Sequence, residues 1–193
     1  LSEKYNANLV KPYDDVRVIA GQGTVGLEIV QQVAAMGLAP DAIICCCGGG
    51  GLIAGLGVAV HAHTPKTNIW CAEPKFYDDT KRSLETGKIQ LANTDKSSIC
   101  DAIVTPEPGT LTFPINQQHL SGGAVITDEQ ALKAIATLFK HLKIVVGPGG
   151  AVAVAAALTG QVPSGVDTVV AVASGGNIDS AMFNRALNTG AFF

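Results

Sequence analysis

Residues 45–55 read CCCGGGGLIAG, three cysteines running into four glycines and then a small apolar segment of helical character. Four consecutive glycines are costly to order, so their use implies that something must come close to the main chain. A glycine loop feeding a helix N-terminus offers unpaired N–H groups and the positive end of the helix dipole to an anion, and without Cβ atoms a phosphate can touch the backbone. Gly48, Gly49, Gly50 and Gly51 therefore form a candidate phosphate cradle. The stretch lacks the GK[ST] of a P-loop, while a dinucleotide fingerprint would want an acidic residue on the next strand. Glu73 does end that strand, so the dinucleotide reading stays open, as does a tight turn with no ligand. Zinc is the sharper reading of a cysteine cluster. Neighbouring strand residues face opposite ways, however, so Cys45 and Cys47 share a side that Cys46 cannot reach, and buried small hydrophobes are the expectation. From spacing alone, Asp78 and Asp79 read as a solvated turn or helix cap, and Ser174, in SGGN ahead of a helical segment, as an N-cap.

The elements that must carry these residues alternate. DAIICCC (41–47) has the length and type of a strand buried on both faces, and GLIAGLGVAVHAH after the glycines reads as a helix. The same unit is expected at VRVIA (16–20), GQG and TVGLEIVQQVAAM, the last with Val25, Ile29 and Val33 on one apolar face, and again at TVVAVA (168–173), SGGN and IDSAMFNRAL. That would place three glycine-rich turns at strand ends. Thr127 and Gln130 predict a capping box heading a helix whose Leu132, Ile135, Leu138, Phe139 and Leu142 make a core stripe. Short strands at NIWCAE (68–73) and KIVV (143–146), with a helix at GGAVAVAAAL (149–158), complete the alternation. The fold class is α/β, one domain over 1–193, with an open, mostly parallel sheet covered by helices on both faces. In such sheets ligands bind beyond the carboxyl ends of the strands, where the glycine loops sit.

Composition narrows the partners. With 47% hydrophobic and 15% charged residues in 193, the chain can bury one core. A net charge of -3 and no basic run argue against nucleic acid and anionic membrane, and the apolar runs are too short to span a bilayer. Five cysteines, an odd number, suggest no disulfide framework, so a cytoplasmic protein is expected.

VIAGQGTVGLEI (18–29), GGGGLIAG (48–55), CAEPKFYDD (71–79) and VASGGNID (172–179), in that order and spacing, resemble the threonine/serine dehydratases and serine racemases. These are pyridoxal phosphate (PLP) enzymes of fold type II, and the likeness spans nearly the whole chain. It implies that Gly48, Gly49, Gly50 and Gly51, with Leu52, hold the cofactor phosphate through backbone N–H groups, and that the Ser174 hydroxyl meets the pyridine nitrogen. It also implies a divalent cation, Mg²⁺ or Ca²⁺, on the carboxylates of Glu73 and Asp79 and the main-chain carbonyl of Tyr77, a hard oxygen set.

The chain departs from the family pattern in two places. The lysine that forms the Schiff base with PLP lies in an SxKxRGA-like segment, and none of the ten lysines here stands in such a context. The chain thus reads as most of the large PLP domain without the small domain, and the isolated polypeptide is expected to be inactive. Gly147 stands where the family commonly has Glu. The reaction implied is dehydration and deamination of a small 3-hydroxy amino acid to a 2-oxo acid and ammonia. Serine racemase and 3-hydroxyaspartate dehydratase chemistry stay open, as does a non-catalytic domain binding a phosphorylated ligand. A homo-oligomer, a dimer in the intact family, is implied.

Overall fold

The computed structural model describes residues 2–193. Its centre is β1 (Ala42–Cys46), an apolar strand in which every residue is buried. Because successive side chains alternate, that burial requires cover on both faces. β1 pairs in parallel with β2 (Asn68–Pro74) on one side and β4 (Val169–Ala171) on the other, with Ile44 opposite Trp70 and Ala171. β2 also pairs in parallel with β3 (Gly122–Ile126), giving the order β3-β2-β1-β4. The expected parallel α/β sheet is thus present, with a strand the sequence did not suggest and without two that it did. β3 was missed because two glycines open it, weakening its strand signal; Gly123 is packed against Cys71.

Helices complete the layers. After the short α1 (Ser2–Tyr5) comes α2 (Val16–Ala35), then α3 (Gly51–His63), α4 (Asp79–Thr86), α5 (Thr112–His119), α6 (Asp128–Leu142), α7 (Pro148–Leu158) and α8 (Ser180–Thr189). α7 touches all four strands, and α3 lies between β1 and α2. On α2, Val33 is buried and Val25 and Ile29 pack on the core, as their spacing predicts. α6 begins with the expected capping box of Thr127 and Gln130. Its stripe buries Leu132, Ile135 and Leu138, and Phe139 meets Phe183 edge to face at 5.2 Å, but Leu142, in the last turn, is exposed.

The two expected strands that are absent have different fates. VRVIA forms the first turns of α2: the Asp15 carboxylate accepts the Arg17 amide at 2.9 Å and starts the helix ahead of the β-branched run. The GQG that follows is therefore helical rather than a turn at a strand end. Gly21 meets nothing, but Gly23 lies where α2 and α3 cross: a Cβ there would stand 3.2 Å from the Gly55 carbonyl oxygen, one on Gly26 would stand 2.7 Å from that of Leu56, and one on Gly55 would run into that of Ile19. KIVV is not a strand either. Lys143 ends α6 in the left-handed conformation (φ 60°), and the segment leads into α7, where the Gly147 N–H donates to the Gly175 carbonyl at 2.8 Å. No helix is long and apolar enough to cross a membrane among the described residues.

Candidate cofactor site

At the carboxyl end of β1 the chain turns through the four glycines into α3. Gly50, the N-cap of α3, is left-handed (φ 89°), a conformation that favours glycine, and a Cβ there would lie 2.5 Å from Asn116 Nδ2. A Cβ on Gly49 would collide with the Tyr13 ring. The loop is thus gripped from two sides. Among the described residues, no protein acceptor takes the amide hydrogens of residues 48–52. Buried N–H groups are rarely left unpaired, so this run of free donors at a helix N-terminus fits an anion such as the cofactor phosphate.

The loop borders a cavity of about 670 Å³ whose other walls include Cys46, Ile103, Thr105, Gly147 and Ser174. Every residue expected to hold the cofactor (Gly48, Gly49, Gly50, Gly51, Leu52 and Ser174) lines this one space. Ser174 is not an N-cap: Asp179 caps α8 by accepting the Met182 amide at 2.8 Å. The Ser174 hydroxyl instead lies 3.2 Å from Cys46 Sγ. The neighbouring Cys45 thiol and then the Ser174 hydroxyl hold the Cys46 thiol below its ordinary pKa against the effect of burial. Cys47 turns to Thr80 at 3.3 Å, and all five cysteines are free and buried. A Cβ on Gly147 would lie 2.6 Å from the Asn177 carbonyl oxygen, so the carboxylate that the resembled pattern would carry here has no room unless the 175–177 loop moves.

Glu73 and Asp79 lie at the end of β2 and the start of α4, both buried, so Asp79 is no solvated turn residue. Glu73 accepts the amides of Thr80 at 2.9 Å and Lys81 at 2.7 Å. It caps α4 and does not line the cavity, which leaves it unavailable to a ribose there. Burial and then the Asp79 charge push the Glu73 carboxyl up to about 8, and burial first of all raises Asp79 to about 7. Asp79 Oδ2 is buried with no hydrogen-bond partner. Two buried carboxylates whose charge is disfavoured, one with a bare oxygen, suit a hard cation. No group of three or more His, Cys, Asp or Glu is placed to hold a metal among the described residues, so a site here needs main-chain oxygen as well. Tyr77, between the two in sequence, is buried, and its hydroxyl donates to the Lys96 carbonyl at 2.8 Å.

Other residues of the site escaped the sequence reading. Thr105 Oγ1, on the cavity wall, is buried without a partner. Tyr13 packs on the glycine loop, and Thr112 and Asn116 of α5 donate to its carbonyls. The signal for the last two was a Thr and an Asn four residues apart, one helix face, but nothing in the sequence says which loop that face meets.

The model of the family described as pyridoxal-phosphate dependent enzymes matches residues 1–175, so the chain belongs to that family. The chain is 36% identical over 191 residues to the serine racemase of Dictyostelium discoideum, covering 97% of this chain and 57% of that protein. It is 34% identical over 190 residues to the L-threonine ammonia-lyase of Thermotoga maritima, covering 98% and 46%. The crystal structure of the T.th. threonine deaminase superposes with a TM-score of 0.85 at 40% identity, over 92% of this chain and 57% of that one. The fold is that of the fold type II PLP enzymes, and the chain spans about half the length of the curated relatives it matches.

Proposed function

We propose that this chain is the cofactor-holding part of a PLP-dependent ammonia-lyase that converts L-threonine or L-serine to a 2-oxo acid and ammonia. The observation that carries the reading is the run of amides at 48–52, free of protein acceptors and opening on the same cavity as Ser174. When bound, PLP supplies an electron sink for a carbanion at the α-carbon of an amino acid. The amides of Gly48, Gly49, Gly50, Gly51 and Leu52 would hold its phosphate. The Ser174 hydroxyl would be the partner of the ring nitrogen and, being neutral rather than a carboxylate, would not favour its protonation, a moderated sink that suits loss of a β-substituent. The free Thr105 hydroxyl is available to a polar group of the bound molecule.

Glu73, Asp79 and the carbonyl of Tyr77 would hold Mg²⁺ or Ca²⁺, a structural ion that relieves the repulsion between the two carboxylates. The support is the orphaned Asp79 oxygen. Five unpaired cysteines favour a reducing, cytoplasmic setting, and a homodimer follows the family pattern.

No lysine lines the cavity among the described residues. The 193-residue chain incubated with PLP and L-threonine is therefore expected to yield no 2-oxobutanoate, and measurable yield would show that the amine comes from this chain. Joined to a lysine-bearing small domain, the protein should release ammonia from L-threonine and L-serine faster than it racemises L-serine. Chiral chromatography showing racemisation as the faster process would turn the reading to a racemase. A cavity wall without a lysine also supports a second reading, a non-catalytic domain that binds a phosphorylated ligand. Ammonia release by the joined protein would exclude it.

A further inference from the structure

The phosphate cradle is built of glycines, which have no side chains with which to orient themselves, so neighbours hold their carbonyls: the Gly109 amide donates to that of Gly49 at 3.2 Å, the Ala54 amide of α3 to that of Gly50 at 3.0 Å, and two buried side chains of α5 add to both. Thr112 and Asn116 are fully buried, one helical turn apart, and neither lines the cavity. Thr112 Oγ1 donates to the Gly49 carbonyl at 2.6 Å, and Asn116 Nδ2 donates to the Gly50 carbonyl at 3.4 Å. In a planar trans peptide the C=O of one residue and the N–H of the next point in opposite directions. A Gly49 carbonyl drawn toward α5 therefore turns the Gly50 N–H away from it, and a Gly50 carbonyl drawn the same way does this for Gly51. Residues 48–52 line the cavity and no residue of α5 does, so the cavity is open to amides turned away from α5.

Two further observations set this face of α5 apart from ordinary packing. Asn116 is kept fully buried although its Oδ1 has no partner, a costly choice for a residue whose only task is to fill space. α5 is itself held at its start by the Asp14 carboxylate, which accepts the amides of Leu111 at 2.6 Å and Thr112 at 3.3 Å and the Thr110 hydroxyl at 3.0 Å. Tyr13, next in the chain, packs on the opposite side of the loop. The loop is thus clamped between Tyr13 and α5.

We propose that Thr112 and Asn116 are positioning residues that aim the Gly50 and Gly51 amides into the cavity and so set the preference for a phosphorylated over a non-phosphorylated form of the coenzyme. The proposal rests on residues 48–52 holding the phosphate.

Calorimetric titration with pyridoxine 5′-phosphate and with pyridoxine tests it, because these alcohols cannot form imines with surface lysines. The unsubstituted protein should bind the phosphate ester more tightly. Equal affinity would sink the phosphate reading itself, a separate failure seen before any residue is changed. Thr112→Val should narrow the ratio of the two affinities about tenfold with little change toward pyridoxine, while Thr112→Ser, which keeps the hydroxyl, restores it. Asn116→Ala, losing a longer bond, should narrow it roughly threefold. Thermal melts establish that each variant is folded, and if Thr112→Val is not, the Ser and Asn116 variants decide. An unchanged ratio in folded variants lacking these donors overturns the proposal. So does an equal loss in Thr112→Ser, which would make shape rather than the hydroxyl responsible.

Discussion

Two glycine-rich loops leave carboxyl ends of the sheet toward the same cavity, and they are held very differently. The loop at 48–51 is mostly buried and gripped by Tyr13, Thr112 and Asn116. The loop at 174–177 is exposed, a Cβ on Gly175 would meet nothing, and its ties to the opposite wall are the Gly147 amide and the Cys46 thiol. Glycine content is alike and rigidity is not. What separates the loops is whether a buried polar side chain stands behind the carbonyls, because a glycine peptide has no packing surface of its own to hold it. The contrast suits the chemistry proposed, in which an anion with three oxygens needs several fixed donors while a ring nitrogen needs one hydroxyl.

The largest test of the contrast is a pair of single methyl groups. Gly50→Ala combines a positive φ with a clash on Asn116 and should cost about 1–3 kcal/mol in urea unfolding and abolish measurable binding of pyridoxine 5′-phosphate. Gly175→Ala should stay within roughly 0.5 kcal/mol of the parent. Equal costs would mean that the two loops are equally constrained. A smaller effect is expected where β2 ends, the third loop of this edge. Millimolar Mg²⁺ or Ca²⁺ should raise the melting temperature of the parent by about 5 °C and leave that of Asp79→Asn unmoved, read by differential scanning calorimetry. A cation-independent melt would remove the ion and leave Glu73 as a cap of α4 alone.

Ser174→Ala should weaken binding of both vitamers about equally, by roughly threefold, because the residue serves the ring and not the phosphate. A change in the phosphate preference would break the division between the loops. The smallest effect concerns Asp14. Burial works against its charge, but the amide of Leu111, the hydroxyl of Thr110 and the amide of Thr112 hold its carboxyl below the ordinary value. A depressed folded-state pKa gives stability that is present above the unfolded value of 3.8 and lost as pH falls through the lower folded one. Asp14→Asn should therefore cost a few tenths of a kcal/mol at about pH 6, a cost that fades as the pH drops below about 4.

Most of the carboxyl-end architecture was legible in the chain. The apolar run at 41–47, the glycines after it and the capping box at Thr127 are local signals, and each describes its own neighbourhood whatever surrounds it. Where such signals were ambiguous they misled. VRVIA has the β-branched content of a strand, yet Asp15 starts a helix just before it, and Gly23, which read as part of a turn, instead sits where two helices touch. β3 was hidden by the opposite error, glycines in a strand that pairs over Cys71.

By itself, the sequence marked four glycines before a helix as able to meet a phosphate, because their type and order state that chemistry, while a ring partner at Ser174 came only with the family resemblance. Only the tertiary structure decided how firmly each is held. The buried status of Asp79, the free hydroxyl of Thr105 and the α5 donors behind the glycine loop all depend on contacts between segments tens of residues apart. Hydrogen bonding and burial are properties of what arrives from elsewhere in the chain, and no local pattern encodes that arrival.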